Sequence, residues 1–242
     1  LSLFYDFIDL TPIGPNGDEM IRRMSERLAK VDLLGPAAAL LSYQVNKRLD
    51  GVARAQVATR LALLYLMDHK PEKTLQTIRD TVISGLPDDV NRQRMLLEAR
   101  ALAAMKRYDQ ALDLVAVDDS YDAKKLHADI SWDSHNWAMA ANNTEALLGD
   151  RWNDDKPLDD DERTDVMRAA IAFSLANDET GLDRIRAHFA PKMQNTPDAN
   201  AFAVVTQNID RQGLAFRETA AKLASIGTLE AFMKDFKTKY TY

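Results

Sequence analysis

Leu96–Val115, LLEARALAAMKRYDQALDLV, carries the pattern on which the fold turns. Two small residues, Ala99 and Ala111, lie twelve apart and straddle a polar break at Lys106-Arg107. Apolar residues recur at helical spacing on both sides of that break. Tyr108 stands three before the second small residue and Val115 four after it. Small residues at matched places in two successive helices have a physical use. They let antiparallel helices approach closely, so that the larger neighbours interdigitate across the seam.

The same pair recurs along the chain as Ser25 and Ala37, Ala62 and Thr74, Ala128 and Ala140, and in a weaker copy Ala169 and Gly181. The starting points are separated by 37, 37, 29 and 41 residues. Three before the second small residue stands Leu34, Pro71 or Trp137, with Asp178 as the exception; four after it stands Leu41, Ile78 or Ile185, with Thr144 as the exception. Pro71 suits a helix's first position, where its missing N–H is no loss. Met20, Met24, Leu28 and Val31 share one face of the first helical stretch, with Asp18 and Glu19 in its first turn. Ala203-Val204-Val205-Thr206 is the one β-leaning run, and it sits inside a helical pattern.

These positions resemble the tetratricopeptide repeat, a unit of 34 residues in two antiparallel helices. In the third copy Ala99, Tyr108, Ala111 and Leu112 stand where the family pattern wants small, aromatic, small and large; in the second, Ala62, Tyr65 and Leu75 are in register. The glycine that usually closes the first helix is replaced by Asp32, His69, Lys106, His135 and Ala176. The opening FYDFIDLTPIGPNGDEMIRR and the third copy are also similar to the C-terminal region of large bacterial envelope proteins of this repeat type. The resemblance implies an all-α fold, an α-solenoid of antiparallel helical hairpins, and a protein-binding or scaffolding role. The lysine-and-asparagine carboxylate clamp of chaperone-binding members is not matched.

The expected organisation has three parts. Residues 1–17 form an aromatic segment with Phe4, Tyr5, Phe7 and Ile8, a remnant of an upstream repeat or a strip packed on the first helix. Residues 18–190 form about five hairpins. Residues 191–242 form a C-terminal helical cap, because a solenoid must cover its last exposed face.

Composition agrees with helix. Ala (34) and Leu (29) far outnumber the 9 Gly and 8 Pro among 242 residues, and Ala and Leu lose little on entering a helix. The longest apolar run, Leu61–Met67, is seven residues, against the roughly 20 that span a bilayer. No cysteine is present, which excludes a disulfide scaffold, a thiol enzyme and a cysteine-based zinc site. Lack of cysteine also permits the periplasm, and a start at Leu1 points to an excised part of a longer protein. Net charge is +1 over residues 1–100, −9 over 101–200 and +2 over 201–242. No block carries the basic stripe that nucleic acid or an anionic lipid surface requires.

Motifs for chemistry are scarce. His69, His127, His135 and His188 form no i, i+4 zinc-hydrolase arrangement, and no GxSxG, Walker loop or GxGxxG occurs. In DRWNDDKPLDDDER, Asp150–Arg163, the acids have no glycine among them and are interrupted by Lys156-Pro157. A calcium loop needs alternate ligands and a sharp glycine turn, so the segment reads as a solvated loop whose last acids cap a helix near Glu162. No catalytic residue, metal or cofactor is therefore expected.

The expected functional feature is a surface. If the first helix of each hairpin lines a concave face, the positions three before, one after and four after the first small residue point into it. These include Arg22 and Glu26, Thr59, Leu63 and Leu66, Leu96 and Arg100, then Lys125, Asp129 and Trp132, and finally Val166, Ala170 and Phe173. Arg and Trp are enriched at binding hot spots. The expected function is a non-catalytic interaction or scaffold fragment that binds a protein or peptide along this stripe, with a structural spacer or an all-α hydrolase as alternatives.

Overall fold

The computed structural model describes residues 14–206, and among these every regular element is helical. Contacts divide the chain into two compact units, Leu1–Met105 and Lys106–Tyr242. The aromatic segment at the start and the chain beyond Thr206 lie outside the described residues, so the expected cap is described only as far as residue 206.

The first unit contains α1 (Pro15–Lys30), α2 (Leu34–Lys47), α3 (Gly51–Met67), α4 (Pro71–Arg79) and α5 (Asp88–Ala104). Each helix packs on the next in chain order, and α3 also packs on α5. Helix α1 begins at Pro15, three residues ahead of the expected boundary, with proline in its first turn. Its buried face is Ile21, Ser25 and Leu28, while Met20 is 44% and Val31 66% exposed. The apolar face is thus rotated from the expected methionine stripe. The cause is Ser25, whose Oγ donates to the Ala37 carbonyl at 3.0 Å and centres the seam on itself.

The second unit contains α6 (Tyr108–Val115), α7 (Tyr121–Asp133), α8 (Trp137–Leu148), a 3-10 turn (Arg151–Asn153), α9 (Asp160–Leu175), α10 (Glu179–Met193) and α11 (Ala199–Thr206). Packing again follows chain order, with α11 also touching α9. One core cluster runs from Trp132 through Ala140, Ala169, Phe173, Leu182 and Phe189 to Phe202. Full burial of a Phe side chain stabilises by about 1.5–3 kcal/mol, so Phe173 and Phe189 are major anchors of this unit. Helix α10 continues through Pro191 for two residues. The β-leaning run at 203–206 lies within helix α11.

All ten small residues are buried. In the second pair, Thr74 Oγ1 donates to the Ala62 carbonyl at 3.0 Å, repeating the Ser25–Ala37 bond. In the last pair, a Cβ on Gly181 would come within 2.3 Å of the Phe173 ring. The residue three before the second small one is the first residue of α2, α4, α6 and α8. Its position sets where the second helix starts.

Five of the turns that join consecutive helices hold a residue of the same backbone conformation. Asp32, His69, Lys106, His135 and Asn177 all have φ between 51° and 62°, the left-handed region. At four of these turns the next amide reaches back over the helix end: Leu33 to Leu28, Lys70 to Tyr65, Asn136 to Ser131 and Asp178 to Phe173, at 2.8–3.0 Å. The left-handed residues themselves bond to Ala29, Leu66, Trp132 and Ser174. This pair of bonds is the Schellman closure, which satisfies carbonyls the helix leaves open. The fifth closure falls at Asn177, not at Ala176. Helix α9 runs one residue longer, and asparagine tolerates a positive φ that alanine resists. Asp178 consequently becomes the N-cap of α10, accepting from the Gly181 amide at 2.9 Å.

Candidate functional site

The residues of the expected stripe divide by burial. In the first unit Thr59, Leu66, Leu96 and Arg100 are 1–4% exposed, whereas Arg22 and Leu63 are partly exposed. Arg22 bonds Glu19 at 2.9 Å, and Glu26 meets Arg60 of α3 at 3.6 Å. In the second unit Asp129 and Trp132 are each 3% exposed and Lys125 is partly exposed. Val166, Ala170 and Phe173 are fully buried. Most of the stripe is therefore packed inside the fold, and its partly exposed members are Arg22, Glu26, Leu63 and Lys125.

Helix α7 nevertheless brings Lys125, Asp129 and Trp132 to a charged cluster completed by Asp165 and Arg168 of α9. The Arg168 Nη2 donates to Asp129 Oδ1 at 2.7 Å, and its guanidinium lies 5.1 Å above the Trp132 ring. Asp165 stands 3.9 Å from the other end of the same guanidinium. Burial pushes the Asp165 carboxyl up to about 6, against the pull of Arg168 and Lys125, with Asp129 and Asp161 adding to the rise. Trp132 also meets Trp137 edge-on at 5.4 Å, and His135 stacks on Trp137 at 4.9 Å.

In the first unit the chemistry is centred on Arg94, a residue the sequence reading passed over. Its side chain enters between α3, α4 and α5 and is 5% exposed. Nη1 donates to the Ala55 carbonyl at 3.1 Å and to Thr59 Oγ1 at 3.3 Å. Nη2 donates to the Ile78 carbonyl at 2.6 Å and to the Thr81 carbonyl and hydroxyl at 3.2 and 3.1 Å. The cation thus sits at the carbonyl end of α4, where a helix favours positive charge. Burial lowers its affinity for a proton, and Glu98 one turn away opposes that shift. The visible signal was an arginine on one helical face with Val90, Leu97 and Ala101.

The acidic loop closes on its own cations. Arg151 pairs with Glu162 and Asp154, and Lys192 reaches Asp154 at 2.6 Å. Hydrogen bonds from Lys192 and then Arg151 pull the Asp154 carboxyl down to about 2, and Arg151 lowers Glu162. Asp159 and Glu162 form a capping box at the start of α9. The loop is tied to α10 a second time by Trp152, stacked on His188 at 4.3 Å. Among the described residues no group of three or more His, Asp or Glu is arranged to hold a metal ion. His127 Nδ1 meets the Asn143 amide at 2.7 Å, and burial lowers its pKa.

A cavity of about 400 Å³ lies beside the turns at Asp32 and His69, lined by Asp32, Leu33, Gly35, Pro36, Met67 and His69. Asp68 on its wall is engaged by Lys70 at 2.5 Å. No described helix is long and apolar enough to cross a membrane. No protein-family model matches the chain, and no curated protein and no solved structure matches it.

Proposed function

We propose that the chain is an α-solenoid of degenerate tetratricopeptide-like hairpins that acts as a non-catalytic interaction or scaffold module of a bacterial envelope protein. What supports this reading is the recurrence of one hairpin: a buried small pair twelve apart, and a left-handed closing residue seven or eight after the first small one. A unit repeated in this way buries its apolar faces in stacking and leaves the intervening stripe to a partner. The stripe positions offered to a protein or peptide are Arg22 and Leu63 in the first unit and Lys125 in the second. Placement in the envelope rests on the resemblance of the repeats alone.

The test is capture of partners from a bacterial envelope extract on the immobilised chain, repeated with Arg22→Glu, Leu63→Gln and Lys125→Glu. A partner retained by the wild type and lost in at least one variant with an unchanged circular dichroism spectrum is the expected result. Equal retention by all variants moves the contact off the stripe. Retention of nothing favours a structural spacer.

A further inference from the structure

We propose that the cavity beside the turns at Asp32 and His69 receives a basic side chain, arginine or lysine, presented by a peptide partner. None of the residues lining the cavity belongs to the stripe, so the inference stands whether or not the stripe binds.

Two hairpins of the first unit meet here. Helices α1 and α3 end beside the cavity, and α2 and α4 begin beside it. Leu33, Pro36 and Met67 supply apolar wall, and Leu33 is left 41% exposed. The volume of about 400 Å³ falls in the range of pockets that hold small ligands, roughly 300–1,000 Å³.

The charge of the cavity is set by one group. Its lining residues carry two carboxylates and no lysine or arginine. The Asp68 carboxylate is held by Lys70 at 2.5 Å. Among the described residues the Asp32 side chain has neither an ion pair nor a hydrogen bond. Lys30, two residues earlier, is exposed and lies outside the lining. Two helix ends of each polarity meet here, so their dipoles offset one another and Asp32 fixes the sign. A cation complements it. Among the described residues no group of His, Asp and Glu is arranged for a metal ion, whereas the apolar wall suits a methylene stem. Long basic side chains lay such stems along apolar surface and keep the charge at the tip.

The start of α2 favours a peptide as the bearer of that cation. The amides of Leu34 and Gly35 stand in the first helical turn, where no helix carbonyl is available to them. No side chain caps this helix, and the space where a Gly35 Cβ would point is open. A peptide carbonyl can accept from these amides while its basic side chain reaches Asp32. A bare polyamine has no carbonyl and would leave them unmet.

The experiment is an NMR titration of the full chain with acetyl-Ala-Arg-Ala-amide, with acetyl-Ala-Gln-Ala-amide as the neutral match. The arginine peptide should give saturable shifts at the Leu33, Gly35 and His69 amides, and the glutamine peptide should bind about fivefold more weakly. Asp32→Asn keeps the turn, because asparagine tolerates a positive φ, and should weaken the arginine peptide about fivefold without affecting the glutamine peptide. Added salt should weaken the arginine peptide alone. Equal binding of the two peptides, no saturable shift at these amides, or full affinity in Asp32→Asn overturns the proposal. Failure of the stripe would appear instead in the capture experiment, whose variants leave the cavity intact.

Discussion

Replacing Arg94 should be among the most damaging single changes in the first unit. Its guanidinium has two faces of work: Nη1 serves α3 through Ala55 and Thr59, and Nη2 serves the end of α4 through Ile78 and Thr81. Hydrogen bonds to a charged group contribute about 1.5–3 kcal/mol each, and an acceptor left buried without its donor costs about 1–3 kcal/mol. Against this stands the cost of keeping a cation away from water. Arg94→Met removes that cost together with the bonds, yet leaves the carbonyls behind. The balance is a loss of about 3 kcal/mol, or roughly 6–12 °C in Tm for a chain of this length. Arg94→Lys should lose about 2 kcal/mol, because one ammonium cannot span two helices as a fork does. Urea unfolding followed by circular dichroism gives the total. Hydrogen exchange of the α3, α4 and α5 amides localises it. Arg94→Met as stable as the wild type would refute the reasoning, since it would mean that the carbonyls find other donors without cost.

Asp32→Gly and His69→Gly should each stabilise by about 0.5–1 kcal/mol, since glycine adopts φ near +60° without the strain of a side chain, and thermal melts would register the gain. Gly181→Ala should destabilise by about 1–2 kcal/mol, because the added Cβ meets the buried Phe173 ring and outweighs alanine's better helix propensity; a gain in urea midpoint would contradict that packing. Ala62→Leu should cost about 1–3 kcal/mol through overfilling of the seam with Thr74, read from the same melts. Arg151→Met should free the loop from Glu162 and Asp154, giving faster proteolytic cleavage between residues 150 and 159 while α9 and α10 stay protected.

The backbone plan was largely legible because small residues and turn residues act locally. Ala62, Ala128 and their partners announce where two helices touch, and Leu34, Pro71, Tyr108 and Trp137 mark the first turn of the second helix. Four of the five closing positions were placed to the residue. The fifth slipped by one, since the longer α9 lets Asn177 take the left-handed conformation. The site was harder to read. Periodicity tells which residues share a face, but not whether a neighbouring helix covers that face. Trp132 and Arg100 fit a hot-spot composition and are buried all the same. Asp129 was singled out, while its partner Arg168 lies 39 residues away, and no local pattern pairs the two. Arg94 was hidden for a related reason, because its acceptors are backbone carbonyls, which leave no mark in the side-chain sequence.

The claim that one hairpin recurs is tested most directly by amide hydrogen exchange at Leu33, Lys70, Asn136 and Asp178, measured by NMR on the full chain. Each of these amides lies in a turn between helices and is bonded across the helix end to Leu28, Tyr65, Ser131 or Phe173. Common closure predicts that all four exchange slowly, well below the rate of an unstructured peptide. Exchange of these four at the unstructured rate, with the flanking helices protected, would contradict it.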